Sequence, residues 1–131
     1  MKKLLSLFAA LFMVSGCFNS SDTFKGKMYK MVSAPENMEI TIGFEADGDR
    51  FFGKAVNNYF GTYKSEGNEI IFSAVGTTMM AGPEAMMNAE RDYLGALPEI
   101  NAYKLSGKEL ILKTADGKEL VFEETGPVSA E

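Results

Sequence analysis

Met38-Glu39-Ile40-Thr41-Ile42-Gly43-Phe44-Glu45 decides the fold class. Met38, Ile40, Ile42 and Phe44 alternate with Glu39, Thr41, Gly43 and Glu45. A period of two puts one set on the inner face of a strand and the other on its outer face. Asp47-Gly48-Asp49 then supplies a tight turn. The same rhythm returns on both sides. Residues 27–32 read as the first strand, and residues 50–56, 59–64 and 69–74 follow, with Ser65-Glu66-Gly67-Asn68 as a turn. Residues 100–105, 109–113 and 119–123 are three more, joined through Ser106-Gly107-Lys108 and Ala115-Asp116-Gly117-Lys118. Short glycine-bearing connections favour antiparallel neighbours.

One segment breaks the pattern. Pro83-Glu84 has the chemistry of a helix start, with a proline at the first turn and a carboxylate at the positive end of the dipole. Met86, Met87, Glu90, Tyr93, Leu94 and Leu97 follow helical spacing, with Met86, Tyr93 and Leu97 on one stripe. Pro98 marks the end. Strands, one helix, then strands predict an α+β fold: an antiparallel sheet curled as a roll or partly open barrel, with one amphipathic helix packed against it.

Composition narrows the chemistry. The chain has 131 residues, 46% hydrophobic and 24% charged, with one cysteine, no histidine and no tryptophan. This excludes an internal disulfide framework, Cys/His zinc sites and imidazole-dependent triads. Eighteen acidic against 13 basic residues give a net charge of -5, a poor basis for binding nucleic acid.

The N-terminus carries an address. Met1-Lys2-Lys3 precedes an uncharged apolar run, residues 4–14. As a helix, that run reaches only about half of a ~30 Å hydrocarbon core, which suits a secretory signal rather than a permanent span. Val14-Ser15-Gly16-Cys17 resembles the lipobox of bacterial lipoproteins. The resemblance implies cleavage between Gly16 and Cys17 and lipidation of Cys17. A mature chain starting there has 11 basic against 18 acidic residues, a charge of -7. Anionic headgroups repel such a domain, so the acyl chains must do the anchoring. Phe18 stands where aspartate retains enteric lipoproteins at the inner membrane, so the periplasmic face of the outer membrane is the expected location. The parse is residues 1–16 as signal peptide, 17–25 as lipidated cysteine and tether, 26–124 as the domain and 125–131 as a tail.

Asn57-Asn58-Tyr59-Phe60-Gly61-Thr62-Tyr63, a glycine turn and an apolar strand precede Thr77-Thr78-Met79-Met80-Ala81-Gly82-Pro83, then Glu90, Tyr93 and Leu97. This order and spacing resemble the META domain family, which includes envelope and heat-shock lipoproteins of the HslJ type. The resemblance covers residues 26–122. It implies an envelope-stress or adaptor role, without cofactor or catalytic mechanism. The family commonly has cysteines where this chain has Val56 and Gly82, so both are missing together. Tyr29 is the nearest aromatic to the family's early tryptophan.

Several residues are candidate sites, each with a structural alternative. Asn57 and Asn58 either present amides to a ligand or close a turn, since asparagine tolerates left-handed backbone. Tyr59, Phe60 and Tyr63 form either a recognition surface or core and cross-strand pairs. Met79, Met80, Met86 and Met87 either line a partner groove or acyl pocket, or fill an irregular core. Thioether coordination of copper(I) fits them less well, because Met86 and Met87 point in different directions on a helix. Glu45, Asp47 and Asp49 fall short of a calcium loop. Glu84 and Glu90 have no nucleophile or oxyanion donor in evident reach. The expectation is a non-catalytic envelope lipoprotein, without metal or cofactor, that binds another envelope component or supports stress tolerance. The alternative is a carrier of a lipid or other small apolar ligand between helix and sheet.

Overall fold

A computed structural model describes residues 24–35 and 37–128. The residues read as a signal peptide, with Gly16 and the expected lipid-attachment residue Cys17, lie outside the described residues. The strands are β1 Lys27–Met31, β2 Thr41–Phe44, β3 Arg50–Lys54, β4 Asn58–Glu66, β5 Glu69–Thr77, β6 Ile100–Ser106, β7 Glu109–Thr114 and β8 Glu119–Pro127. They form a closed antiparallel barrel in sequence order, and β1 pairs with β8 to complete the ring. Helix α1, Glu84–Ala96, and a 3-10 turn, Leu97–Glu99, separate β5 from β6. The α+β class, and the single α-helix among the described residues, are as read from the sequence.

The hairpins follow from turn chemistry. Gly67 and Gly107 each open a two-residue connection at φ 62°. Only glycine enters that left-handed region without steric cost. The helix starts after Pro83, whose extended backbone (φ -58°, ψ 144°) precedes it, and the Met87 N–H donates to Pro83 O at 2.9 Å. Pro98 in the 3-10 turn prevents the helix from continuing.

The barrel interior is filled with rings. Phe24, Phe44, Tyr63, Phe72 and Phe51 form a chain of contacts with centroids 4.7–6.4 Å apart. Such aromatic contacts contribute beyond the area they bury. The two ends of the barrel are closed differently. Phe24 plugs one, packed on Phe44 and Tyr103. At that end the Gly26 N–H donates to Phe44 O, and the Val128 N–H to Gly26 O, both at 2.8 Å. The other end is closed by α1, where Tyr93 packs on Tyr59 and Phe122.

Several boundaries differ from the sequence reading. Phe24, assigned there to the tether, is fully enclosed. Its ring completes the aromatic stack, although the residues around it are polar. Residues 125–127, assigned to a tail, continue β8 because β1 offers a backbone edge: Lys27 pairs with Pro127 and Met28 with Gly126. The second strand begins at Thr41 rather than Met38. A turn with Asn37 at φ 64° and a Met38 N–H to Pro35 O bond occupies the preceding residues. The third strand stops at Lys54, before Ala55 and Val56, because the chain turns there to point two amide groups at α1.

Candidate functional site

The helix-capped end gathers most of the residues singled out from the sequence. Glu90 lies on the buried stripe of α1 with Tyr93 and Ala96. Its Oε2 accepts the Val56 N–H at 3.1 Å and the Asn57 N–H at 2.6 Å, and its Oε1 accepts Asn57 Nδ2 at 3.0 Å. Asn57 extends the network to the loop after β5. Its Oδ1 accepts the Met80 N–H at 2.5 Å and the Thr78 hydroxyl at 2.9 Å, and its Nδ2 also donates to Met80 O at 3.2 Å. Glu90 and Asn57 therefore tie together α1, the β3–β4 turn and residues 78–80. Both are buried, where an unpaired polar group would be costly.

Asn57 sits in the β3–β4 turn as the sequence suggested, its carbonyl accepting the Ala55 N–H at 3.0 Å, but it presents no amide outward. Its amide faces inward and is fully engaged, and its backbone is not left-handed, since Asn37 is the sole non-glycine with positive φ among the described residues. The pairing with Glu90 was missed because the two are far apart in sequence. The available signal was a carboxylate on the apolar stripe of an amphipathic helix. Glu84, by contrast, is exposed at the helix start.

Below this network the Tyr59 and Tyr93 hydroxyls share a hydrogen bond at 2.5 Å, and the Tyr59 hydroxyl also donates to Thr41 O. Burial pushes both phenols above their usual range, and the like-charged neighbour adds to the shift for Tyr59. Gly53 makes the arrangement possible. A Cβ there would stand 2.0 Å from Thr41 O and 2.5 Å from the Tyr59 oxygen.

The remaining candidates separate. Tyr59 and Tyr63 are core, while Phe60 points outward and is half exposed, covering Gly76. Asn58 is exposed, with its N–H on the Thr78 hydroxyl at 3.2 Å. Met79 is 95% exposed and Met80 53%, outside the core. Met86 and Met87 are half-buried on α1. The positions compared with the family's cysteines are adjacent: a Cβ on Gly82 would lie 3.1 Å from Val56 Cγ1. Glu45 is ion-paired with Arg50 at 3.5 Å. Among the described residues no cluster of acidic or cysteine side chains is arranged to hold a metal ion.

The pattern that defines the META domain family matches residues 20–127. The chain belongs to the META domain family. The match spans the whole barrel of this META domain, from before Phe24 to the end of β8. An NMR structure of a protein from Burkholderia xenovorans superposes with a TM-score of 0.69 at 18% identity, covering 95% of this chain and 99% of that one. A crystal structure of a DUF4847 family protein from Bacteroides vulgatus gives 0.50 at 20% identity, covering 68% and 61%. These likenesses show the shared fold of the META domain. No curated protein matches the chain.

Proposed function

We propose that this META domain protein is a non-catalytic lipoprotein of the cell envelope, anchored by acyl chains on Cys17 and facing the periplasm from the outer membrane. There it binds another envelope protein and supports tolerance of envelope stress. The observation that carries this reading is where apolar surface remains. Of five large hydrophobic side chains exposed among the described residues, Phe60, Ile71, Met79 and Met80 belong to β4, β5 and the loop that follows. Apolar side chains concentrated on one hairpin suit a protein partner. The polar groups nearest a catalytic appearance, Glu90, Asn57, Tyr59 and Tyr93, are engaged in hydrogen bonds within the protein. They do not share one cleft: Glu90 borders the groove beside β5 and Tyr93 the hollow on the other side of α1.

The carrier alternative rests on a hollow between α1 and the barrel rim, lined by Met31, Ile40, Ala89, Tyr93 and Leu120. Its volume of about 220 Å³ lies below the ~300–1,000 Å³ of small-molecule sites, and the groove of about 580 Å³ between α1 and β5 reaches that range only as a cleft open to solvent. The filled interior adds no room for an acyl chain.

Crosslinking in intact cells tests the adaptor reading, with one reproducible protein partner as the expected result. Native mass spectrometry of a Cys17→Ser form tests the carrier. Retained lipid, lost when Met86 and Met87 are made polar, would replace the adaptor reading with the carrier.

A further inference from the structure

The free part of β5 is where the structure specifies a ligand by its backbone chemistry. Strand β5 is paired with β4 as far as Thr77, which stands opposite Tyr59. On its other edge the ladder to β6 is a single pair, Glu69 with Ala102, beside a Tyr103 N–H to Asn68 O bond of 2.9 Å. Beyond that point β6 has not yet begun, because the chain is still in the 3-10 turn around Pro98. The Thr78 N–H donates toward β4, to Asn58 O at 3.0 Å. Backbone groups alternate direction along a strand, so Thr77 and Val75 aim theirs at the unpaired edge. No backbone hydrogen bond reaches them from that side among the described residues.

This edge forms one wall of an open groove of about 580 Å³, and α1 forms the other. Val75, Thr77, Met87, Arg91, Leu94 and Gly95 line it together with Pro98 and Glu90, whose carboxylate is taken up by the Val56 and Asn57 amides. Two features of α1 suit an occupant. Gly95 sits within the helix, where glycine costs about 1 kcal/mol relative to alanine, yet a Cβ there would meet nothing within 4 Å. The fold does not require that glycine, whereas an open groove does. Arg91 is bonded to Asn88 Oδ1 at 2.7 Å and has no carboxylate in ion-pair reach among the described residues.

We propose that an extended, acidic-apolar segment of a partner protein docks between β5 and α1 as an added strand. Its backbone pairs with Val75 and Thr77, an apolar side chain lies on Met87 and Leu94, and a carboxylate meets Arg91. This inference rests on the adaptor reading and adds to the exposed apolar residues of the β4–β5 hairpin a groove on the far edge of β5. From Ser73 to Thr77 the edge is about 13 Å long at ~3.3 Å per residue, enough for four partner residues. Strand addition of this kind takes affinity from main-chain bonds and selectivity from alternate side chains. The irregularity of β5 opposite Gly61, together with the wall made by α1, admits one strand and stops a sheet from growing further.

The test uses the full-length, anchored protein in intact cells. The photo-crosslinker p-benzoylphenylalanine is placed at Thr77 or, separately, at Phe52 on β3, two strands from the free edge of β5. One partner captured at Thr77 and not at Phe52, through an extended stretch carrying an acidic residue, is the expected result. Gly95→Leu fills the groove and Arg91→Glu reverses its charge. Each should lower the Thr77 yield at least about fivefold, while Gly95→Leu melts no lower than the parent. A partner captured equally at Phe52, or yields unmoved by both variants, overturns the groove and leaves the adaptor reading standing. Capture at neither position overturns the adaptor reading and the groove with it.

Discussion

Glu90→Ala is the sharpest probe of how this barrel is held shut. The substitution leaves the Val56 N–H, the Asn57 N–H and one Asn57 side-chain N–H without their acceptor. A buried donor stripped of its partner costs about 1–3 kcal/mol. Val56 is half-buried and reached by water in part, so it falls at the low end, whereas Asn57 is enclosed. The three together amount to about 3–5 kcal/mol, a large part of the ~5–15 kcal/mol that stabilises a small domain. Melting should fall by roughly 15–25 °C. Urea unfolding followed by circular dichroism should show a lower midpoint at an unchanged slope. Glu84→Ala, at an exposed helix start, should cost less than about 1 kcal/mol. Asn57→Ala should be as damaging as Glu90→Ala, and the double variant should fall short of the sum by about 1–3 kcal/mol, because both remove the same bonds. A Glu90→Ala protein melting within about 4 °C of the parent would refute the network. A poised catalytic acid, rather than a structural tie, would then fit Glu90 better.

Tyr59→Phe removes the hydroxyl bonded to Thr41 O and Tyr93, and should cost about 1–3 kcal/mol by chemical denaturation. Tyr63→Phe should be neutral or stabilising, since that buried hydroxyl has no partner among the described residues. Gly53→Ala should lose at least about 3 kcal/mol, because its Cβ would collide with Thr41 O. Val56→Cys with Gly82→Cys, in a Cys17→Ser background, should form a bridge under oxidising conditions and stabilise by about 3 kcal/mol relative to its reduced form. Burial, helped by nearby carboxylates, pushes Tyr29 and Tyr63 from 10.0 up to about 12. These phenols ionise near pH ~10 in the unfolded chain. Their contribution to stability is therefore complete below that pH and lost as pH climbs toward 12, so phenolate absorbance and loss of structure should rise together over that window.

The strands were legible because their information is local. Ile40, Ile42 and Phe44 alternate with polar or small residues, and Gly67 and Gly107 mark hairpins where the backbone must turn left-handed. Pro83 and Pro98 bracketed the helix for equally local reasons. Closure into a barrel was less legible, since it depends on β1 meeting β8 across the length of the domain. The polar residues 124–127 carry no apolar signal, and a backbone edge alone recruits them into the sheet. Phe24 was hidden by its company: one aromatic among serines and lysines reads as tether until the barrel supplies a hole of its size. For the candidate site, residue types were legible but orientations were not. Asn57 and Asn58 are neighbours with identical side chains, yet one is sealed under α1 and the other faces solvent. The methionines divide likewise, with Met79 outside and Met86 partly covered.

The place where the chain enters the barrel has a mechanical consequence. Phe24 is wedged among rings immediately before β1, and β1 is bonded along both sides, to β2 and to β8. A tug arriving through the N-terminus would load those two ladders in shear, straining many bonds at once instead of peeling them singly. A body hung from a membrane by that end could drag against its surroundings without unravelling from the leash inward.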